Sequence, residues 1–261
     1  MSDVLVSQDG HVGVVELRRP PHNFVDPTVL RALADAVESL DGDPDCRAIV
    51  LAAEGKSFCA GANFAAGGSV DEDGGGGGDF RSSARRFYDQ ALRLFGAATP
   101  VVAAVHGAAV GGGLGLALVA DMRATCPEAR FTANFVKLGI HPGFGLSVTL
   151  PELLGPARAA DLFLTGRRVG GEEALRMGLA DRCVPAASVR AAAVELADEI
   201  AAAAPLAVAA VRATLRRGLV GRVRSALDHE LEEQARLVAT DDAREGMSAV
   251  FSRRHPTFHG R

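Results

Sequence analysis

The chain has 261 residues and a formal net charge of −4, with 48% hydrophobic and 23% charged residues. This length is sufficient for a domain with a substantial core, and the composition excludes a mostly disordered chain. Without an overall basic charge, nucleic acid and membrane surfaces are not the expected partners.

The first half of the chain predicts strands that alternate with helices. The segment VGVVELRRP is typical of a strand that leaves a hairpin. Asp26 and Pro27 then suit the cap and first position of a helix, whose apolar spacing continues to Gly42. The next segment, CRAIVLAAEG, predicts a buried strand, and this strand-helix-strand order favours a parallel sheet.

A glycine run, Gly74–Gly78, interrupts the pattern. It is interpreted either as a surface insertion or as a lid over a site. A helix is predicted over Phe80–Leu94, followed by a buried strand in TPVVAAV. Beyond VTLPELLG, one helical pattern follows another, so we expect an α/β core with an all-helical C-terminal region.

Targeting and metal-binding signals are both missing from the sequence. The N-terminal MSDVLVSQDG lacks the blocks of a signal peptide, so a cytoplasmic location is expected. Four cysteines are scattered without CxxC spacing, and the histidines form no HExxH pattern, so no metal site is predicted and reduced core thiols are expected. The four are Cys46, Cys59, Cys126 and Cys183.

Two strands end in turns of small residues, FCAGAN and VGGGLG. Such turns expose backbone N–H groups, and a helix that starts there adds partial positive charge. They therefore suit an oxygen that develops negative charge. A dinucleotide site is disfavoured because the GxGxxG spacing and a later acidic partner are absent. Tight packing of helix against strand is the purely structural alternative.

Both turns belong to a series of four motifs, in the order GKSFCAGANF, VHGAAVGGGLGLALVADMRAT, LGIHPGFG and ALRMGLADRCV. This series resembles the crotonase superfamily, also called the enoyl-CoA hydratase/isomerase family. The resemblance implies the ClpP/crotonase-like α/β fold of repeated ββα units over 1–195. It implies a C-terminal helical region over 196–261 that mediates trimerisation, as a homotrimer or homohexamer. It also implies an acyl-CoA ligand and no other cofactor.

The resemblance also implies roles for particular residues. The backbone N–H groups of Ala60 and Gly112 are expected to form an oxyanion hole for the thioester oxygen. Further residues are expected to contact the substrate. These are Phe24, Gly61, Ala62, Asn63, Gly111, Gly115 and Phe135.

Two positions depart from the pattern of the family's hydratases, which carry two glutamates. Gly115 and Phe135 stand at those positions, and Gly143 stands where dienoyl isomerases carry an aspartate. Hydration needs acid and base groups that contribute about 10² to 10⁴ in rate, so efficient hydration is not expected. At Gly115, close packing and a bulky acyl group both remain open as explanations.

A proton-transfer step in this chain would therefore need another acid or base. His141 lies on the GIHPGFG loop and can exchange protons near neutral pH, although the simpler interpretation is that it only forms part of the loop.

Two functions are consistent with these residues. One is an enzyme that stabilises a thioester enolate, for decarboxylation, retro-Claisen cleavage or an unusual isomerisation. The other is a non-catalytic protein that holds or carries acyl-CoA. Turnover of acyl-CoA thioesters separates them.

Overall fold

The computed structural model describes residues 2–62 and 80–261. Two of the predictions lie outside the described residues, namely the substrate contact at Asn63 and the glycine run Gly74–Gly78.

Strands and helices are numbered in chain order. The first part of the chain contains β1 (Val4–Asp9), β2 (Val12–Leu17), α1 (Pro27–Asp41), β3 (Ala48–Ala53), β4 (Ser57–Cys59), α2 (Phe80–Phe95), β5 (Val101–Val105), β6 (Ala108–Val110), α3 (Gly112–Val119), β7 (Met122–Thr125) and β8 (Arg130–Thr132). The second part contains α4 (Leu146–Leu154), α5 (Pro156–Thr165), β9 (Arg168–Gly170), α6 (Gly171–Met177), β10 (Arg182–Cys183), α7 (Val189–Ala201), α8 (Pro205–Leu215), α9 (Leu219–Leu237) and α10 (Asp241–Phe251).

A six-stranded sheet has the order β1-β2-β3-β5-β7-β10. Only its β1–β2 hairpin is antiparallel, and the other neighbours pair in parallel. Strands β3 and β5 are almost completely buried, as expected for parallel strands covered on both faces. The predicted hairpin and parallel sheet are therefore confirmed.

A second, four-stranded sheet has the order β4-β6-β8-β9. Each of the pairs β3/β4, β5/β6 and β7/β8 places its first strand in the large sheet and its second in the small sheet. Helices α2 and α3 follow the first two pairs. These are the ββα units that the resemblance implied, and they bring the ends of β4 and β6 side by side.

Helix α1 begins as the sequence predicted. The Asp26 side chain accepts a hydrogen bond from the Val29 N–H at 2.9 Å, and Pro27 occupies the first turn. The predicted helix from Phe80 is also confirmed, because α2 begins there.

The C-terminal helices do not separate from the core at the predicted boundary. That boundary, between residues 195 and 196, falls inside α7, which packs on β3, β5 and β7. Helix α7 therefore belongs to the core, because its buried alanines and leucine cover one face of the large sheet. Helix α9 packs on α2 and α4, and α10 packs on a 3-10 turn at Asn134–Leu138.

Within the described residues, every helix is too short or too polar to cross a lipid bilayer.

Candidate active site

A cavity of about 400 Å³ lies beyond the ends of β4 and β6. Its wall is almost entirely apolar, and no described carboxylate or imidazole lines it. The structure brings together seven of the predicted site residues there, namely Phe24, Ala60, Gly61, Ala62, Gly111, Gly112 and Phe135.

The turns after β4 and β6 are in direct contact. Gly61 has φ +90°, and a Cβ at this residue would lie 2.7 Å from the Val110 carbonyl oxygen. Only glycine fits this backbone conformation and this close approach. Gly61 therefore holds the two turns together at the base of the cavity.

The N–H of Ala60 is not available to a substrate. It donates to the His22 carbonyl oxygen at 2.9 Å, so the prediction that Ala60 supplies an oxyanion donor is wrong. Two residues later, the Ala62 N–H has no acceptor among the described residues. The Val25 N–H bonds instead to the Gly61 carbonyl, and this bond fixes the turn beside Ala62.

Three consecutive glycines, Gly111–Gly113, follow β6, and each has a different structural role. Gly111 has φ +55° and ψ −118°, a conformation that favours glycine. A Cβ on Gly113 would overlap the Cys59 carbonyl oxygen, so this glycine lets α3 approach β4.

Gly112, like Gly111, lines the cavity, and a side chain there would point into the open space of the cavity. A Cβ there would meet only ring atoms, Phe144 Cδ2 at 3.6 Å and Phe87 Cζ at 3.8 Å, and would lie 4.0 Å from the Ala62 nitrogen. Gly112 is also the first residue of α3, so its N–H has no acceptor within the helix. The N–H groups of Ala62 and Gly112 are therefore both available at one place.

The Phe144 ring covers Gly115. A Cβ on Gly115 would lie 2.6 Å from Cβ and Cδ1 of Phe144, and Gly115 does not line the cavity. The predicted substrate contact at Gly115 is therefore wrong, and close packing is the explanation for this glycine. Edge-to-face contacts with Phe87 and Phe95, at centroid distances of 5.8 and 6.4 Å, hold the ring in place.

Phe135 presents an apolar ring to the cavity. Its Cζ would lie 3.6 Å from a Cβ on Gly111. It is 6% exposed and lines the cavity. The side chain therefore shapes the acyl space without supplying a charge.

His141 does not line the cavity. Its ring packs edge-on against His229 at a centroid distance of 5.6 Å, and its Nδ1 lies 2.8 Å from the Pro142 carbonyl oxygen. The prediction that His141 transfers protons there is wrong, because the loop turns its ring toward α9. Cys59 supplies no proton either, because burial raises the pKa of its thiol to about 12.

Sequence reasoning missed two polar side chains in the wall, Asn134 and Gln234. The Gln234 Nε2 donates to the His141 carbonyl at 2.8 Å, and its Oε1 accepts from the Tyr88 hydroxyl at 2.7 Å. A signal was present in α9, where Glu230 and Gln234 occupy an otherwise apolar helical face. Polar groups on such a face have buried partners.

Glu230 anchors the loop that carries Phe144. Its carboxylate accepts from the Gly145 N–H at 2.8 Å and from the N–H and hydroxyl of Ser147 at 3.0 and 2.6 Å. Burial raises the pKa of Glu230 to about 7, although these hydrogen bonds favour the charged form. The anchor is therefore a carboxylate that gains a proton in mildly acidic conditions.

In a Glu230→Gln variant, the free energy of unfolding is expected to depend less on pH than in the wild type. With pKa values of 4.5 unfolded and about 7 folded, the folded chain holds a proton that the unfolded chain releases. The contribution of Glu230 is thus greatest below about pH 4.5 and falls as pH rises through about 7, by roughly 3 kcal/mol. Denaturant titrations of both proteins at about pH 5 and about pH 8 measure this difference.

Glu152→Gln is the matched control. Glu152 is exposed and pairs with Arg222, so its substitution should leave the pH slope of the wild type in place. Equal slopes in the wild type and Glu230→Gln would contradict the assignment.

Helix α10 contributes Met247 and Val250 to the wall of the cavity. Downstream of this helix, Arg254 is paired with Glu245 at 2.5 Å. The contribution of this C-terminal segment to the site is therefore apolar and comes from helix α10.

Comparisons with known proteins show the family of the chain. Residues 7–261 match the family described as enoyl-CoA hydratase/isomerase. A probable enoyl-CoA hydratase of Mycobacterium bovis is 35% identical over 260 residues, which cover 98% of this chain and 97% of that protein. A carnitinyl-CoA dehydratase of Proteus mirabilis is 36% identical, over 97% of this chain and 96% of that protein. The crystal structure of carnitinyl-CoA hydratase from Mycobacterium avium superposes with a TM-score of 0.87 at 32% identity, over 99% of each chain.

Proposed function

Since the chain belongs to the enoyl-CoA hydratase/isomerase family, we propose that it is an acyl-CoA enzyme whose thioester oxygen binds between the N–H groups of Ala62 and Gly112. The observation that carries this proposal is a pair of N–H donors without an acceptor among the described residues, at the base of an apolar cavity. An acyl chain fills such a cavity, and the donors fix the position of its carbonyl.

The two donors stabilise an enolate more strongly than a neutral thioester. When a bond at the α-carbon breaks, electrons move onto the carbonyl oxygen, and both hydrogen bonds become charge-assisted. Each such donor contributes about 2.7 to 4 kcal/mol to a transition state. Decarboxylation, retro-Claisen cleavage and isomerisation all generate this enolate.

Efficient hydration of a double bond is a poor match to the cavity. It requires a base for water and an acid for the α-carbon, and the described wall supplies neither a carboxylate nor an imidazole. Phe135 and the buried Gly115 stand where the family's hydratases carry these groups. The same observation favours the second candidate function, an acyl-CoA-binding protein without turnover.

A panel of CoA thioesters tests the proposal. We expect tight binding of acyl-CoA, slow hydration of crotonyl-CoA, and faster turnover of a malonyl-type or β-keto thioester. Calorimetry measures binding, and chromatography of the CoA products measures turnover. Binding without turnover of any thioester would favour the carrier function, and fast hydration of crotonyl-CoA would show that the acid and base lie elsewhere.

The assembly proposed for this enzyme is a homotrimer or homohexamer in the cytoplasm. Large exposed apolar side chains on α8 support an association between subunits. Leu206, Val211 and Leu215 are 86%, 58% and 80% exposed in the single chain.

A further inference from the structure

The loop that carries Phe144 has a backbone conformation that needs support from another element. Phe144 has φ +64°, which residues with a bulky side chain rarely adopt, and the next residue, Gly145, has φ +71°. Helix α4 begins directly after this turn, and Gly145 at its cap position has no side chain that could accept from the first helical turn. The N–H groups of this segment therefore need an acceptor from elsewhere in the chain.

Glu230 of α9 is that acceptor. The N–H of Gly145, the N–H of Ser147 and the hydroxyl of Ser147 all donate to its carboxylate, so donors of the loop and of α4 converge on one side chain. Charge-assisted hydrogen bonds are roughly twice as strong as neutral ones. Glu230 therefore holds the loop most firmly while its carboxylate is ionised.

The position of the Phe144 ring follows from this anchor. The ring lines the cavity, and its Cδ2 would lie 3.6 Å from a Cβ on Gly112. It thus forms the wall directly beside one of the two proposed oxyanion donors. A shift of the loop would change the space in which a thioester carbonyl meets that donor.

Resting on the proposed function, we propose that Glu230 is a positioning residue whose ionised carboxylate holds the Phe144 ring, so that the oxyanion pair works at full rate only while Glu230 is charged. A protonated Glu230 must donate its own O–H, and the Ser147 hydroxyl oxygen at 2.6 Å is an acceptor within reach. That hydroxyl then no longer donates, and the two N–H groups face a neutral carboxyl group. Because burial raises the pKa of Glu230 to about 7, this change occurs near neutral pH.

Tyr88 is the titratable group that faces Glu230 from α2. Burial, and then the charge of Glu230, hold the pKa of its phenol well above the usual value, so Tyr88 stays neutral near pH 7. The other charged or titratable side chains on the packed elements make their contacts away from this carboxylate. On α2 and α4 these are the exposed Arg81, Arg85, Arg86, Asp89 and Glu152 and the half-buried Arg93, which pairs with α1, and on the loop His141, which packs on His229.

The chain contains a reporter of this anchor that needs no substrate. Tyr88 is the only tyrosine and there is no tryptophan, and its oxygen contacts the Phe144 backbone and senses the Glu230 charge. The tyrosine band of the near-UV circular dichroism spectrum should change with a midpoint at about pH 7 in the wild type, and should not change in Glu230→Gln. In Ser147→Ala, which loses a hydrogen bond that favours the charged form, this midpoint should rise by about one pH unit or more.

Kinetics measure the consequence for the site. With the best thioester of the panel, kcat of the wild type should rise through about pH 7 and then level. Glu230→Gln should lack this step and lose about 10- to 100-fold in kcat at about pH 8, with a smaller change in KM. Since the contribution of Glu230 to stability falls over the same pH range, a purely structural role would make activity fall rather than rise.

Two control variants make the midpoint specific to Glu230. Ser225→Ala removes a hydroxyl of α9 that donates to the Gly221 carbonyl instead of to Glu230. His229→Gln removes the imidazole that packs on His141. Both variants should keep the wild-type midpoint, and loss of the spectral step in His229→Gln would assign the titration to the histidine pair and overturn the proposal.

The remaining outcomes separate the positioning role from the proposed function. A spectral step that persists in folded Glu230→Gln overturns the proposal, and if that variant does not fold, an unchanged midpoint in Ser147→Ala overturns it. Turnover that is independent of pH across the spectral step also overturns it, while the proposed function stands. If the step depends on Glu230 but no thioester is turned over, the proposed catalysis fails and the positioning of the loop by Glu230 stands.

Discussion

A Gly112→Ala variant is expected to fold like the wild type and to lose about 10²- to 10³-fold in kcat/KM for the best thioester of the panel. The added methyl group makes only ordinary contacts with the rings of Phe144 and Phe87. It stands in the cavity, however, 4.0 Å from the nitrogen of Ala62. The substrate oxygen can then no longer reach both donors.

Gly113→Ala is the matched control, one residue further along α3. Its methyl group would overlap the Cys59 carbonyl oxygen, which is backbone and cannot move aside. We therefore expect this variant to unfold, or to melt far below the wild type, rather than to show a selective loss of activity. Thermal melts and kinetics of both variants measure the contrast.

Two outcomes would contradict the oxyanion pair. A fully active Gly112→Ala protein would show that the oxygen binds elsewhere. An equal loss of stability in both variants would show that Gly112, like Gly113, is only a packing glycine.

The parts of the fold that the sequence predicted are those with local signals. Helix α1 has a capping aspartate, a proline at its start and a regular apolar spacing, so its limits were predictable. The short strands of the small sheet were not predicted, because three residues are too few to show a period. Their pairing depends on contacts between distant parts of the chain.

The sequence predicted where the site lies, but only some of the residues that form it. Both turns of small residues were recognised, but sequence does not tell which N–H in a turn already has an acceptor. For Ala60, that acceptor is the His22 carbonyl, which the fold brings across from another loop. Similarly, the ring of Phe144 fills the space over Gly115 because this residue takes φ +64°, which no local pattern predicts for phenylalanine.

Introducing a carboxylate at each of positions 115 and 135 is expected to increase hydration of crotonyl-CoA only if the space over Gly115 is opened at the same time. Gly115→Glu alone should destabilise the protein by about 1 to 3 kcal/mol, since its side chain would be forced against Phe144. Phe144→Ala would not solve this, because the Cβ of residue 144 itself lies 2.6 Å from the added atom.

The informative variant is therefore Gly115→Glu/Phe135→Glu/Phe144→Gly. Glycine at 144 removes the clash and suits the φ of +64°, and the new glutamate side chain occupies part of the space that the ring leaves. With an acid and a base at the two positions, we expect hydration to rise by about 10² to 10⁴ over the wild type. Loss of the enoyl thioester absorbance measures the rate.

The matched control is Gly115→Gln/Phe135→Gln/Phe144→Gly, which has the same volume without ionisable groups. A folded glutamate variant that hydrates no faster than this control would show that positions 115 and 135 do not reach the α- and β-carbons of the bound acyl group. A clear gain would show that the backbone of this chain still presents a thioester as a hydratase does. In that case three positions separate this chain from a hydratase, because Gly115, Phe135 and Phe144 together replace proton transfer with apolar packing.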